Sequence, residues 1–146
     1  MKRIILFFVV AVFAVTVSNA QIRKVPSEVT NAFKAKYPNA QDVEWKDKIT
    51  SFHAVFTDNG TKKEASFTKD GWKETESEME FNGLPEEVKD GFAKSKYADW
   101  EHGSVVEIQK SDDALQYRIY VEKSTLNKKF LFFNKNGKLL KDALTL

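Results

Sequence analysis

The chain has 146 residues, no cysteine, and 23 Lys and Arg against 21 Asp and Glu. That length leaves room for one ordinary domain or two half-size units sharing a core, and the missing thiols exclude disulfides, thiolate metal sites and a lipid-modified N-terminal cysteine. Lys2 and Arg3 supply the whole formal charge of +2; without them the count is 21 against 21, so nothing calls for a nucleic-acid partner, which needs clustered positive charge.

Residues 1–20 read as an export signal. Lys2-Arg3 is a basic start, Ile4 to Val17 is an apolar run, and Ser18-Asn19-Ala20 places small residues where a signal peptidase reads. Cleavage is predicted before Gln21. A retained anchor would need about 20 apolar residues, and Ser18-Asn19 ends this run early. The expected address is therefore the periplasm or the exterior, with no stable membrane insertion after cleavage. An exported chain without disulfides must rely on core burial, and of the 12 Phe, three Trp and four Tyr only Phe7, Phe8 and Phe13 lie in the signal.

From Pro26 to Tyr37, Val29, Ala32, Phe33 and Tyr37 form one helical stripe. Pro26 suits the first turn, and Pro38 stops the helix. The period then changes to two. Val43 and Trp45, then Phe52, Ala54 and Phe56, then Ala65 and Phe67 alternate with polar neighbours as half-buried strands. Asp58-Asn59-Gly60 and Asp70-Gly71 are hairpin turns between them. A fourth strand starts at Trp72 and sends Glu74, Glu76, Glu78 and Glu80 to one side.

Leu84-Pro85 opens a second helix, in which Val88 and Phe92 repeat Val29 and Phe33. Gly91 replaces Ala32 at a helix-propensity cost of about 1 kcal/mol, which predicts a close approach of helix to sheet. Tyr97 falls one residue later than Tyr37, so the end of this helix is expected to distort. His102 is placed in the loop that follows. Strands are predicted from Val105 to Lys110, Leu115 to Glu122, Lys129 to Phe133 and Lys138 to Leu144. Their turns are Ser111-Asp112-Asp113, Ser124 to Asn127 and Asn136-Gly137. Phe130-Leu131-Phe132-Phe133 is apolar on both faces, so it is either central or covered on its outer side.

The two stretches are copies. Phe67-Thr68-Lys69-Asp70-Gly71 returns as Phe133-Asn134-Lys135-Asn136-Gly137, with Lys62-Lys63 and Lys128-Lys129 at matching distances upstream; both lysine pairs are read as solvated strand positions. The expected organisation is a signal peptide over 1–20, a first repeat over 21–83 and a second over 84–146. The fold class is α+β: two tandem helix-plus-four-strand repeats forming one antiparallel sheet with both helices on one face.

Such a sheet leaves its other face open, where His53, Val55, Arg118 and Tyr120 are expected as partner-binding residues. Trp100, in the loop after the second helix, is either an interface anchor or a cover for the helix end, the second being preferred. Trp45 and Trp72 are read as packed against the helices. Glu74, Glu76 and Glu78 form a solvated face in the first reading and a cation or basic-partner site in the second, weaker because same-face strand neighbours stand about 7 Å apart. Neither His53 nor His102 has a second ligand at helical spacing. No phosphate-binding glycine loop or nucleophile motif is present, so no cofactor, metal or catalytic residue is assigned.

Taken together, Val25-Pro26 with Val29, Ala32, Phe33 and Tyr37-Pro38, then Val43-Glu44-Trp45, Phe67 with Gly71-Trp72, and Leu84-Pro85 resemble the beta-lactamase-inhibitor-like, PepSY-like proteins exported by Bacteroides-type bacteria. The resemblance covers essentially the whole chain after residue 20, and its motifs are structural. It implies a fold similar to the beta-lactamase inhibitory protein, with helices on one face of a curved eight-stranded sheet and the other face available to a partner. The function expected is a non-enzymatic binding or protein-interaction module, inhibition being one use of such a face. The alternative is a periplasmic carrier or sensor of a small ligand or cation.

Overall fold

The computed structural model describes residues 24–145; the export signal expected over residues 1–20 lies outside them. Two helices, α1 (Ser27–Lys36) and α2 (Glu86–Ala93), each precede four strands. These are β1 (Gln41–Asp47), β2 (Phe52–Asp58), β3 (Thr61–Thr68) and β4 (Gly71–Met79), then β5 (Glu101–Lys110), β6 (Leu115–Ser124), β7 (Asn127–Asn134) and β8 (Leu139–Leu144). One 3-10 turn, Phe81–Gly83, separates the halves. All eight strands form a single sheet in chain order, every neighbouring pair antiparallel.

Both helices start on a proline that caps rather than enters them: the Pro26 carbonyl accepts from Thr30 N at 3.1 Å, and that of Pro85 from Val88 N at 3.0 Å. Val29 and Phe33 of α1 pack with Phe52, Ala54, Phe56, Ala65 and Phe67. Val88 and Phe92 of α2 pack with Val105, Tyr117, Ile119, Val121, Leu131 and Phe133. Each helix thus makes its own core. Strand β4 serves both, since Thr75 bonds Tyr37 at the end of α1 while Met79, on the same face, packs against the second core. The helices therefore share one side of the sheet.

Several sequence readings need correction. Val43 is 39% exposed rather than half-buried, because the β1–β2 register shifts between Gln41 and Glu44 and Asp42 takes φ +53°. His102 is not in a loop; it lies in β5, ahead of a bulge between His102 and Val105, and stacks on Phe81 with ring centroids 3.9 Å apart. Glu80 lies past the end of β4. The second lysine of each pair is engaged rather than simply solvated: Lys63 reaches Asp58 and Lys129 reaches Asp142, each at 2.7 Å, and both stand near a tyrosine that follows a helix, Tyr37 or Tyr97. Gly91 does mark a close approach, but to the β7–β8 turn, where a Cβ would sit 1.9 Å from the Gly137 carbonyl oxygen. The later Tyr97 is delivered by irregular turns after α2 ends at Ala93.

Candidate functional site

The face away from the helices has no covering element among the described residues. Cross-strand register decides what stands on it. His53 pairs with Ser66 and Val55 with Glu64; Glu64 pairs with Glu76 and Ser66 with Glu74; Glu76 and Glu78 pair with Ile108 and Val106. Val106 pairs with Arg118, Arg118 and Tyr120 with Phe132 and Phe130, and Phe132 with Lys141. Directly opposed residues share a face, so His53, Val55, Arg118 and Tyr120 lie together on this side. So do Glu74, Glu76 and Glu78.

Trp100 is not with them. It packs against the second core, edge-on to Tyr97 at 5.1 Å, as a cover for the end of α2. Trp45 and Trp72 pack on the first core.

The first repeat's half of the open face is acidic and laced with ion pairs. His53 Nδ1 donates to Glu64 at 2.7 Å while its Nε2 is 3.0 Å from Ser51 Oγ. Lys62 stands 3.3 Å from Glu78. The glutamates of β4 do not converge: Glu76 is held by Arg118, Glu78 by Lys62, and no group of three metal-ligating side chains stands together among the described residues.

The second repeat's half is aromatic and cationic. Arg118 reaches across β5 with both terminal nitrogens, Nη1 to Glu76 Oε1 at 2.8 Å and Nη2 to Oε2 at 2.6 Å, a bidentate fork that fixes the guanidinium plane. Its carbon lies 5.2 Å from the Phe130 ring centroid, and Tyr120 meets Phe130 edge-on at 5.8 Å. Lys141 lies 4.3 Å over Phe132. Tyr120 Oη donates to Glu122 at 2.5 Å. That bond first, and Lys128 after it, hold the Glu122 carboxyl below the usual carboxylate range; the same bond pushes the Tyr120 phenol up, against the opposing pull of Lys128. Phe130 and Phe132 complete this strip and were not singled out from the sequence; their signal was the two-faced apolarity of β7, with the outer face uncovered.

This arrangement offers rigid aromatic edges, a preoriented guanidinium and carboxylates, the usual chemistry of a protein-binding surface. The two histidines fall on opposite faces of the sheet, which keeps them from acting on one substrate. No helix of the described residues is long and apolar enough to cross a membrane.

A family model described as "Putative beta-lactamase-inhibitor-like, PepSY-like" matches residues 50–141. The fold is similar to that of a BLIP-like protein from Bacteroides fragilis, with 28% identity, 83% of this chain and 88% of that one covered and a TM-score of 0.72. It is also similar to a "putative periplasmic" protein from Bacteroides eggerthii, with 25% identity, 82% and 88% covered and a TM-score of 0.76. No functionally curated protein matches the chain.

Proposed function

The chain belongs to the beta-lactamase-inhibitor-like, PepSY-like family, and on that premise we propose that it is a non-enzymatic periplasmic module that holds a protein or peptide partner against the open face of its sheet. One observation carries this reading: Arg118, Tyr120, Phe130 and Phe132 form an uncovered strip whose guanidinium is already clamped by Glu76. Preordering removes part of the entropy cost of association, about 0.5–1.5 kcal/mol for each side chain held in place beforehand. The fold shared with a BLIP-like protein and the likeness to a protein described as periplasmic support the same reading. The carrier or sensor of a small ligand or cation would work through Glu74, Glu76 and Glu78, two of which are already paired.

The test is photo-crosslinking in the producing cell, with a benzophenone side chain at position 132 on the open face and, as control, at position 34 on the exposed side of α1. A partner crosslinked from position 132 and not from 34, and lost when Arg118→Glu and Tyr120→Ala are added, is the expected result. Equal crosslinking from both positions, or none from 132, sinks the proposal.

A further inference from the structure

The open face of the second repeat settles its own charges with one exception. Cross-strand register puts Arg118, Lys128 and Lys141 on that face of β6, β7 and β8, against a single carboxylate among the described residues of those strands, Glu122. Lys128 stands 3.5 Å from Glu122, which also accepts from Tyr120. Arg118 is spent on Glu76, and the register shows what keeps it there. Arg118 opposes Val106 and Glu76 opposes Ile108, so the side chain crosses β5 diagonally over two apolar residues that are only 7% and 3% exposed, although they face away from both helices. Lifting Arg118 would return that apolar surface to water. Lys141 is the exception. It is exposed and makes no ion pair with the described residues. Its Nζ lies 4.3 Å from the centroid of the Phe132 ring, a cation–π contact that holds the ammonium over the aromatic strip.

We propose that Lys141 reads charge on the docking face: a partner segment pairs an aspartate or glutamate carboxylate with this ammonium and lays a neighbouring apolar side chain along Phe130 and Phe132. The inference rests on the reading of the open face as a docking surface and names the chemistry of the partner. Charge complementarity selects an anion, because the unpaired ammonium at the strip gains a partner when a carboxylate arrives and repels a second cation. The guanidinium decides between carboxylate and phosphate. Phosphate is gripped best by the two-pronged donor set of an arginine, and the fork on this face is already filled by Glu76; a single ammonium matches a single carboxylate. Phe130 and Phe132, half-buried with no element above them, select the apolar neighbour. Across the sheet the sign reverses: Glu44 and Glu64 flank Val55 in register on β1 to β3, which turns an acidic segment away from the first repeat and toward β7 and β8.

The probe is a pool of random short peptides displayed on phage and panned against the full chain as the producing cell processes it. Selected peptides should carry Asp or Glu beside an apolar residue and lose binding to Phe132→Ser. Lys141→Gln should weaken them roughly fivefold, the size of one exposed ion pair, and slow their association at low salt. Changing the acidic residue of the peptide to its amide should cost the same on the unaltered protein and nothing further on Lys141→Gln, and a peptide with lysine at that place should prefer Lys141→Glu. Lys46→Gln removes an exposed lysine from the first repeat's half of the face and should leave affinity unchanged. An edge lysine also discourages strand addition, a role that would move aggregation and not this pairing of charges. The inference is overturned if the selected peptides carry no acid, bind Lys141→Gln as tightly as the parent, or respond equally to Lys46→Gln. It is overturned equally if panning enriches nothing that depends on Phe132, or if inorganic phosphate displaces the peptides. A partner that still crosslinks from position 132 after any of these results leaves the broader reading standing, whereas loss of that crosslink sinks both.

Discussion

Glycine positions show how a single residue can carry a long-range constraint. Gly91 and Gly137 touch backbone to backbone: a Cβ on Gly91 would meet the Gly137 oxygen at 1.9 Å, and one on Gly137 the Glu87 oxygen at 1.9 Å. Alanine is the better helix former by about 1 kcal/mol, so propensity alone would make Gly91→Ala stabilising. The contact reverses the sign. Gly91→Ala is expected to destabilise by about 3 kcal/mol, the upper range of overpacking costs, measured as a lower urea midpoint. Gly60→Ala meets nothing within 4 Å and costs only its positive φ, about 1–2 kcal/mol. The sequence announced Gly91 as an anomaly in a helix; its partner lies in a turn far along the chain, so the reason for it was legible only as a close approach of some kind.

Among the elements, β7 carries core packing on one face and the strip proposed for recognition on the other. Leu131 and Phe133 are fully buried against α2, while Phe130 and Phe132 face out. Phe133→Ala should cost about 3–5 kcal/mol, as expected for an emptied aromatic site, whereas Phe132→Ser should leave the stability within about 0.5 kcal/mol of the parent, as surface changes do, and abolish crosslinking from a benzophenone placed at position 130 on the same face. A large loss from Phe132→Ser would mean that the outer ring is structural. β8 is tied to its neighbours by Asp142, which accepts from Lys129 Nζ and Tyr97 Oη, each at 2.7 Å. These donors, Lys129 first, hold its carboxyl below the usual range. A carboxyl depressed in the folded state contributes stability above its unfolded value of about 3.9, and that contribution is lost as pH falls through the folded value. Stability should therefore decline below about pH 4, and Asp142→Asn should flatten that part of the profile. Period-two reading found these strands, but bulges between Gln41 and Glu44 and between His102 and Val105 change which side chains face inward. A bulge inserts one residue without a compositional mark, which is why Val43 and His102 were misplaced. The register that carries Arg118 across β5 to Glu76 was hidden for a related reason: no local pattern fixes how β4 meets β5.

The repeated helix-plus-sheet order was legible across the whole molecule because Phe67 to Gly71 and Phe133 to Gly137 mark the same turn in each copy. What the repeat does not reveal is whether two cores behave as one body. Six registered pairs from Glu74↔Lys110 to Met79↔Val105 join β4 to β5. Met79 comes from the first repeat's last strand and packs in the second core. The Arg118–Glu76 fork spans the seam with both side chains about three-quarters shielded, and a charged hydrogen bond of that kind contributes about 1–2 kcal/mol. Opening the seam would unpair β4 and β5 together and expose Met79, so neither half can unfold without cost to the other, and the whole should unfold in one transition. The three tryptophans make this measurable, since Trp45 and Trp72 report on the first core and Trp100 on the second. Trp100→Phe leaves fluorescence from the first core alone, and Trp45→Phe with Trp72→Phe leaves only the second. Once each variant's stability change is corrected against circular dichroism of the same sample, its fluorescence midpoint in urea should coincide with its backbone midpoint. A fluorescence midpoint that separates from the backbone signal in either variant would show the repeats unfolding independently. The seam would then be a hinge between two half-sheets.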